Sequence, residues 1–346
     1  LLPLAVVGWR FSYDRISRIG PLRDRVIIIG SGALARKIGE EVLHYHRDAY
    51  DIVGFIDEDP KKVGESVVNP KVIGDYSALS ALVSQHDIDR VIVALPDRRG
   101  KMPVHMLLEC KFQGTSVEEG TNFYERLVGK ILVDNLKPSW FIFSSGFRQY
   151  RLPRITKRIL DVLLAAAVLL VCLPLFPIVA LLIRLDSPGP VLFRQDRVGE
   201  GERVFTLLKF RSMRMDAEAT TGPVWAQDQD DRATAVGRFL RRSRLDELPQ
   251  LINVLKGDMS FVGPRPERPF FVAVLLKEIP YYSVRHTVKP GITGWAQIKY
   301  SYGASMEDAL EKLQYDLFYI KNLSIWLDLT ILFETIKVVM LGRGSR

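Results

Sequence analysis

The fold of the first third of the chain follows from one stretch, Arg25-Val26-Ile27-Ile28-Ile29-Gly30-Ser31-Gly32-Ala33-Leu34-Ala35. A short run of β-branched residues ends in a glycine turn, and a helical pattern then continues to Tyr50. A strand, a glycine turn and a helix form the context in which G-x-G-x-x-A holds a phosphate at a helix N-terminus. The next strand pattern, residues 51–57, ends in Asp57, where a Rossmann unit places the acid that binds a ribose.

Further strand and helix patterns alternate up to Glu118 and predict a small parallel sheet with helices on both faces. Gly30, Gly32 and Asp57 are therefore candidate nucleotide-binding residues of a Rossmann-like domain over residues 21–120. The same pattern can bind a nucleotide or coenzyme A, or can simply pack a helix against a sheet. No His or Lys in this stretch is placed to move a hydride, so the pattern does not establish dehydrogenase chemistry.

The composition of the chain allows two domains and favours acidic partners. The chain has 346 residues, 47% of them apolar, and a formal net charge of +8. This balance is typical of proteins that bind nucleic acid, anionic lipid head groups or phosphorylated substrates, and composition does not choose among them. The two cysteines are far apart, and no Cys or His cluster offers a zinc site. A reducing cytosol fits this cysteine usage best.

The first ten residues are apolar up to Trp9-Arg10 and lack the basic start of a signal peptide. They are typical of the last turns of a membrane helix, followed by basic residues on the cytoplasmic side. We expect residues 1–20 to be the end of a preceding membrane helix and a linker, with an ordinary apolar arm as the alternative. Residues 121–154, rich in aromatics and turn formers, are expected to be a connector that touches lipid or another subunit.

The most apolar segment of the chain, residues 162–183, carries no charge and is long enough to span a bilayer as a straight helix. Pro174 and Pro177 interrupt it, and each proline removes a helix hydrogen bond and bends the axis. Basic residues flank both ends, which places both ends on the cytoplasmic side. A re-entrant helical hairpin over residues 158–185 satisfies both observations, and we prefer it to a full span or a buried core helix.

Two adjacent carboxylates, Asp246 and Glu247, stand in a cationic run that begins at Arg241. The apolar spacing that follows predicts an amphipathic helix, and Pro249 in its first turn favours Asp246 as the N-cap. A carboxylate there meets free backbone N–H groups and the helix dipole, so it stays ionised, as a nucleophile or a metal ligand must be. A capping box with solvated charges explains the local pattern equally simply.

Three further cations are placed where a phosphate could bind. Lys209 and Arg211 alternate at the end of a strand pattern, so both would lie on one face and could clamp a diphosphate. Arg265 stands between two prolines in a rigid turn. The simpler alternatives are a solvated basic edge strand and a surface arginine in an ordinary loop.

The C-terminal half contains, in order along the chain, the motifs Lys157-Arg158, Lys209-Phe210-Arg211-Ser212-Met213, Leu245-Asp246-Glu247-Leu248-Pro249-Gln250, Asn253-Val254-Leu255-Lys256-Gly257-Asp258-Met259-Ser260, Gly263-Pro264-Arg265-Pro266 and Lys289-Pro290-Gly291-Ile292-Thr293-Gly294-Trp295. With these motifs it resembles the bacterial sugar transferase family, the polyprenyl-phosphate sugar-1-phosphate transferases or monotopic phosphoglycosyl transferases. The large form of that family carries a Rossmann-like domain before the catalytic part. The number and order of the motifs make the resemblance far more specific than any single motif.

The resemblance implies an α/β chain with two parts. A Rossmann-like parallel sheet domain comes first, and residues 155–346 form a mixed, mostly helical, membrane-associated catalytic domain that contains the re-entrant hairpin. The implied reaction passes a sugar-1-phosphate from a UDP-sugar to undecaprenyl phosphate and releases UMP, at the start of exopolysaccharide, capsule or O-antigen synthesis. The resemblance does not say which sugar is transferred; the candidate regions for sugar recognition are residues 216–231 and 300–306.

The resemblance also implies roles for individual residues. Asp246 would be the nucleophile that forms a covalent phosphosugar intermediate, Glu247 its catalytic partner, and both would be ligands of Mg2+. From the residue chemistry, Lys209, Arg211, Arg241 and Arg265 would hold the phosphates.

The implied partners are the UDP-sugar, undecaprenyl phosphate and membrane lipids, with no nucleic acid and with a homodimer left open. The implied location is the bacterial inner membrane, with the catalytic domain on its cytoplasmic face. Two other functions remain open from the residues alone: an NAD-dependent nucleotide-sugar oxidoreductase that uses the glycine turn, and a non-catalytic membrane scaffold that senses a nucleotide.

Overall fold

The chain is described by a computed structural model that covers residues 23–95, 102–133, 136, 138–147, 151–215, 232–300, 303 and 305–340. The expected membrane-helix end at residues 1–20 and the candidate sugar-reading loop at residues 216–231 lie outside this described part. The chain divides into two compact units, Leu1–Asn135 and Leu136–Arg346. The division therefore falls inside the expected connector, residues 121–154.

The first unit is built on a five-stranded parallel sheet with the strand order β3-β2-β1-β4-β5. Its elements are β1 (Asp24–Ile29), α1 (Ala33–Tyr45), β2 (Tyr50–Asp57), β3 (Val72–Asp75), α2 (Leu79–Gln85), β4 (Arg90–Val93), α3 (Val104–Phe112), β5 (Ser116–Glu119) and α4 (Gly120–Val128). The order of the strands reverses between β1 and β4, the switch point at which doubly wound sheets bind ligands. The Rossmann-like parallel sheet expected from the sequence is confirmed.

The β-branched run in β1 supplies the centre of this unit. Because successive side chains on a strand point to opposite faces, the run is divided between two cores. Val26 and Ile28 pack with residues of α1 and α4, and Ile27 and Ile29 pack with residues of α2 and α3. Burial of each such side chain contributes about 1.5–3 kcal/mol, so this one strand holds helices on both faces of the sheet.

The second unit is mainly helical, with two small two-stranded sheets. Its elements are α5 (Pro138–Phe143), α6 (Arg151–Cys172), α7 (Leu175–Asp186), β6 (Leu192–Val198), β7 (Val204–Phe210), α8 (Ala235–Arg242), α9 (Gln250–Lys256), β8 (Ser260–Val262), α10 (Pro269–Glu278), β9 (Gly291–Thr293), α11 (Trp295–Lys299), α12 (Met306–Lys321) and α13 (Ile325–Met340). Strands β6 and β7 form an antiparallel hairpin, whereas β8 and β9 run parallel. The expectation of a mixed, mostly helical C-terminal region is confirmed.

The apolar segment forms the two helices α6 and α7, which are bent by 63° where they meet. Pro174 is the N-cap of α7, and Pro177 lies in its first turn, where a proline is tolerated because the N–H groups have no helical partner there. No single helix in the described part of the chain is long and apolar enough to cross a membrane. This bent pair is the one pair there whose combined length and composition would be sufficient.

Charged side chains near the start of α6 bind it to the elements around it. The Arg158 guanidinium donates to the carbonyl oxygens of Val254 and Leu255 at 2.6 and 2.9 Å. A cation at this place also complements the negative end of the α9 dipole. The Asp161 carboxylate accepts the backbone N–H of Phe261 at 2.9 Å. Helix α6 is therefore tied to α9 and to β8.

The glycine turn of the first unit gives a direct test of the fold. Gly30 has φ +108°, and a Cβ atom there would lie 2.9 Å from the Ala94 carbonyl oxygen. Gly30→Ala should therefore destabilise the first unit by about 1–3 kcal/mol, because both the backbone conformation and the contact are unfavourable. Hydrogen–deuterium exchange of the β1 amides would measure this loss as faster local opening.

Gly32→Ala is the matched control, because a Cβ atom at Gly32 would meet no atom within 4 Å. Gly32 has φ −76° at the N-cap of α1, so the loss should stay below about 1 kcal/mol. Equal protection losses in the two variants would contradict the steric explanation for Gly30.

Candidate active site

The two adjacent carboxylates lie in a short 3-10 turn, Leu245–Glu247, that precedes α9. Arg244 has φ +60°, so the chain reverses before the turn, and hydrogen bonds of the 3-10 type then join it to Leu248. The N-cap of α9 is Pro249, which makes no side-chain cap. The prediction that Asp246 is the helix N-cap is therefore wrong, because the 3-10 bonds already use the backbone groups that it would cap.

Glu247 is buried and binds two cations through one carboxylate oxygen. Only 9% of its surface is exposed. Its Oε1 atom accepts from Lys209 Nζ at 2.9 Å and from Arg265 Nη2 at 3.3 Å. Burial by itself would raise the pKa of Glu247, but Lys209 and Arg265 outweigh burial and hold that pKa well below its ordinary value. Glu247 is therefore an ionised carboxylate that orients two cations.

Asp246 differs from its neighbour in both position and charge. It lines a large cavity of the second unit, although its own exposed fraction is 6%. Burial raises the pKa of Asp246, Lys209 opposes that shift, and the adjacent Glu247 adds to it. Adjacent residues of a 3-10 turn point roughly 120° apart. The pair is therefore divided into one carboxylate that faces the cavity and one that holds cations beside it.

The position of Lys209 follows from a buried asparagine. The Asn253 amide, on α9, donates to the Thr206 carbonyl oxygen at 2.8 Å and accepts the Leu208 N–H at 3.0 Å. An Asn side chain can donate and accept at the same time, so it replaces a strand partner on this edge of β7. Strand β7 is thereby held against α9, and Lys209 reaches Glu247.

The position of Arg265 follows from the close approach of β8 and β9. The Gly263 N–H donates to the Thr293 carbonyl oxygen at 2.9 Å. A Cβ atom at Gly263 would lie 2.3 Å from the Lys289 carbonyl oxygen, so only glycine allows this contact. Arg265 is two residues further along, between two prolines whose fixed φ angles stiffen the loop.

The cavity in front of Asp246 has a volume of about 1010 Å³, within the range of sites that bind whole cofactors or nucleotides. Among the described residues, three carboxylates line it, Asp246, Glu267 and Asp316, and the lining arginines and lysines are several times more numerous. Apolar side chains at the start of β6, including Val191 and Phe193, complete one wall. This charge balance suits a polyanionic ligand.

All four expected phosphate-binding residues line the cavity together with Asp246, among them Lys209, Arg241 and Arg265. Arg211 also lies at the cavity wall, but it is 4% exposed and has other partners. Its guanidinium donates to the Pro188 carbonyl oxygen at 2.9 Å and to the Ser187 carbonyl oxygen at 2.6 Å.

Arg211 therefore closes the C-terminal end of α7, and the diphosphate clamp of Lys209 and Arg211 stays a prediction. Lys209 donates to Glu247 at 2.9 Å, so the two cations have different partners within the protein.

The candidate nucleotide residues of the first unit lie together at the carboxyl ends of β1 and β2. Gly32 is the N-cap of α1 and makes no side-chain cap. The Asp57 carboxylate accepts from the Ser31 hydroxyl and, at 3.1 Å, from Lys62 Nζ. Burial opposes these contacts, but together they lower the pKa of Asp57. The expected ribose contact is thus bonded within the protein, and nucleotide binding at Gly30, Gly32 and Asp57 stays a prediction.

Two cavity residues were not predicted from the sequence. Arg285 and Asp316 are buried, line the cavity and form an ion pair of 2.9 Å. Burial raises the pKa of Asp316 to about 6, against the charge of Arg285. Helix α10 ends at Glu278, and a 3-10 turn, Tyr282–Thr287, carries Arg285. The sequence feature that could have indicated this pair is an acidic residue, Asp316, on an otherwise apolar helix face.

Asp246 and the adjacent Glu247 are the carboxylates that the sequence predicts to hold a Mg2+ ion. In the described part of the chain, no group of three or more His, Cys, Asp or Glu side chains is placed to hold a metal. Mg2+ is usually bound by one or two carboxylates together with substrate phosphates. The pair therefore fits such an ion if a bound diphosphate supplies further oxygens.

Comparison with known families agrees with this division of the chain. Residues 152–342 match the family model described as Bacterial sugar transferase, and the chain belongs to this family. Residues 25–113 match the model described as Oxidoreductase family, NAD-binding Rossmann fold. The family assignment favours the transferase interpretation over the oxidoreductase and the non-catalytic scaffold.

Three relatives illustrate the similarity. The chain is 43% identical over 242 residues to a UDP-N-acetylgalactosamine-undecaprenyl-phosphate N-acetylgalactosaminephosphotransferase of Aeromonas hydrophila, which covers 69% of this chain and 56% of the relative. It is 35% identical over 338 residues to an undecaprenyl-phosphate glucose phosphotransferase of Komagataeibacter xylinus, with coverage of 94% and 60%. It is 43% identical over 196 residues to the exopolysaccharide production protein PSS of Rhizobium leguminosarum, with coverage of 55% and 98%. The chain thus spans little more than half the length of the first two relatives.

The buried contacts of Glu247 predict a large stability effect for Lys209→Met. This variant leaves a buried carboxylate with Arg265 as its nearest cation, and we expect a loss of about 3 kcal/mol in the free energy of unfolding. The pKa of Glu247 is depressed in the folded chain, so its stabilisation is present above the ordinary pKa and is lost as the pH falls through the folded value. The difference from wild type should therefore be largest at neutral pH and narrow in acid, as measured by urea unfolding.

Lys337→Met is the matched control. Lys337 pairs with Glu334 at 2.8 Å, but both side chains are at least 40% exposed, so the loss should stay within about 0.5 kcal/mol. Equal losses in the two variants would show that burial of the Glu247 pair contributes nothing.

Proposed function

We propose that this chain transfers a sugar-1-phosphate from a UDP-sugar to undecaprenyl phosphate, giving undecaprenyl-diphosphate sugar and UMP. The observation that carries this proposal is a cavity-lining carboxylate, Asp246, surrounded by the cations Lys209, Arg241 and Arg265. The relatives named above are called undecaprenyl-phosphate sugar phosphotransferases or an exopolysaccharide production protein. The reaction would begin the assembly of an exopolysaccharide, a capsule or an O-antigen.

The reaction would occur in two displacements at one phosphorus atom. An Asp246 carboxylate oxygen attacks the phosphorus that bears the sugar, the bond to the UMP oxygen breaks, and UMP leaves with the electron pair. An oxygen of undecaprenyl phosphate then attacks the same phosphorus. The bond to Asp246 breaks, and the carboxylate is regenerated. Burial of Asp246 supports this role, because a carboxylate with little water around it is a better nucleophile.

The surrounding cations would hold the diphosphate and offset the negative charge that accumulates during displacement. Lys209 and Arg265 are already oriented by Glu247 at 2.9 and 3.3 Å, so little reorganisation is needed when substrate binds. Arg241, in the last turn of α8, lines the same cavity. Guanidinium groups suit this task because they present N–H donors in the geometry of phosphate oxygens.

Asp246 and Glu247 would hold a Mg2+ ion together with oxygens of the bound diphosphate. When bound, Mg2+ would neutralise charge on the diphosphate as a Lewis acid. Glu247 must then share its carboxylate between the ion and the two cations that it already binds. Its second oxygen leaves room for this arrangement.

We further propose that α6 and α7 form a re-entrant hairpin in the bacterial inner membrane, with the catalytic unit on the cytoplasmic face. Side chains such as Leu163, Val171 and Leu185 are more than 60% exposed along the two helices. Such a large apolar surface is unusual on a protein surrounded only by water. On α13, Trp326 and Phe333 are also exposed, which favours contact of that helix with lipid head groups.

No described contact bears on a homodimer, which stays a prediction.

The sugar that is transferred is left open, since the relatives are named for N-acetylgalactosamine and for glucose. Tyr300, Gly303 and Ser305 line the cavity, which supports the region 300–306 as a reader of the sugar. The Tyr300 hydroxyl donates to Asp308 at 2.7 Å, so this part of the wall is held in place by α12. Sugar recognition by side-chain hydrogen bonds would be expected there.

The sharpest test of the proposed reaction is Asp246→Asn. Without a nucleophilic carboxylate, UMP release from UDP-glucose or UDP-N-acetylgalactosamine in the presence of undecaprenyl phosphate should fall at least about 1,000-fold. Mass spectrometry of the wild-type chain incubated with the donor alone should show a phosphosugar adduct that the variant lacks. Asp196→Asn is the control, because Asp196 is exposed on β6 and bonds only to Thr206 among its described partners. An Asp246→Asn variant with wild-type turnover would exclude Asp246 as the nucleophile.

The membrane topology can be tested with single cysteines in a chain whose Cys110 and Cys172 have been replaced. Ile155 and Leu185 lie near the two outer ends of the bent pair, and both are exposed. A re-entrant hairpin places both ends on the cytoplasmic side, so Ile155→Cys and Leu185→Cys should react together with a membrane-impermeant reagent in inside-out vesicles. Neither should react in intact spheroplasts. Reaction of the two positions from opposite sides would establish a full span.

A further inference from the structure

A second buried ion pair lies beside the carboxylate pair and has no role in the reaction described above. Asp316, on α12, is 2% exposed, and Arg285, in the turn Tyr282–Thr287, is 6% exposed. Asp316 Oδ2 and Arg285 Nη2 are 2.9 Å apart. Buried ion pairs are costly to form and add little net stability over apolar packing, so their placement calls for a functional explanation.

Arg285 connects this pair to the loop that carries Arg265. Its Nη2 atom donates to the Arg265 carbonyl oxygen at 2.9 Å, and its Nη1 atom donates to the Tyr282 hydroxyl. The guanidinium is planar and its N–H donors have fixed directions. The groups that bind some of its donors therefore also fix the direction of the donor that bonds to the Arg265 carbonyl oxygen. The Asp316 carboxylate and the Tyr282 hydroxyl together hold this plane.

The loop around Arg265 depends on such contacts. Pro264 and Pro266 have no N–H to donate, so the loop is held chiefly through its carbonyl oxygens. The Arg265 carbonyl accepts from Arg285, and the Pro266 carbonyl accepts from Arg197 at 2.9 Å. At the other end of the same residue, Arg265 Nη2 donates to Glu247 Oε1 at 3.3 Å.

We propose that Asp316 is a positioning residue for the reaction: it orients Arg285, Arg285 fixes Arg265, and Arg265 holds the Glu247 carboxylate beside the nucleophile. The proposal rests on the proposed function, since it concerns the rate of that reaction. Asp316 and Glu247 are distant in sequence and lie on different elements, and the contacts that join them are all direct. Burial lowers the pKa of Arg285, and Tyr282, Asp316 and Glu267 oppose that shift, so loss of the Asp316 charge would leave Arg285 as a less well compensated buried cation.

The test is a double-mutant cycle on UMP release with saturating donor. Asp316→Asn keeps the shape of the side chain and removes its charge. It should lower kcat about 10- to 100-fold in the otherwise wild-type chain, the effect of a small misplacement at a reacting centre. In an Arg265→Ala background, the same change should lower kcat by less than about 2-fold, because the residue through which Asp316 acts is gone. Equal losses in both backgrounds would overturn the proposal.

Two controls separate positioning from a general loss of structure. Glu334→Gln removes the same charge from the exposed pair with Lys337 and should leave kcat unchanged. Asp316→Glu keeps the charge and should recover part of the rate. Failure of this conservative variant to recover any activity, with its melting temperature intact, would contradict the assignment.

A structural measurement decides the matter even without turnover. In a crystal or cryo-EM structure of the Asp316→Asn variant, the distance from Arg265 Nη2 to Glu247 Oε1 should rise beyond hydrogen-bonding range. An unchanged distance would overturn the positioning role. If the wild-type chain itself released no UMP, the proposed function would fail, and this distance would still test the contact chain by itself.

Discussion

The second unit depends on one buried carboxylate, Glu247, that is shared by Lys209 and Arg265 at 2.9 and 3.3 Å. These three side chains come from β7, the turn before α9 and the loop after β8, so a single anion joins three segments. A carboxylate this deeply buried must be paired, since an isolated charge in the interior is far too costly. The requirement to neutralise Glu247 therefore also brings two cations to the cavity, next to Asp246.

The same principle connects the apolar helices to the site. Arg158 on α6 donates to backbone carbonyl oxygens at the end of α9. Arg211, just after β7, donates to backbone carbonyl oxygens at the end of α7. These bonds satisfy carbonyl oxygens at helix ends that would otherwise lack partners. The apolar side chains are left on the outside. If the bent pair enters a bilayer, its depth is thus linked rigidly to the depth of Asp246.

Much of the fold was predictable because the signals are local. The β-branched run of β1 and the glycine turn after it predict the parallel sheet, since strand periodicity and the conformation of Gly30 are properties of adjacent residues. The break at Pro174 follows in the same way from the missing N–H of proline. The site was harder to predict. The expected cap at Asp246 was wrong, because a 3-10 turn depends on what packs around it. The bonds of Arg211 to the end of α7 could not be foreseen for the same reason.

The amino-acid sequence by itself determined the order of the two units, the interruption of the apolar segment and the identity of the paired carboxylates. These depend on residue type and short-range spacing. Only the tertiary structure decided that Asp246 faces the cavity while Glu247 binds cations, that Arg211 closes α7, and that Arg285 and Asp316 belong to the site. Those roles depend on which distant backbone and side-chain atoms come within about 3 Å of each other, and spacing along one chain does not specify such distances.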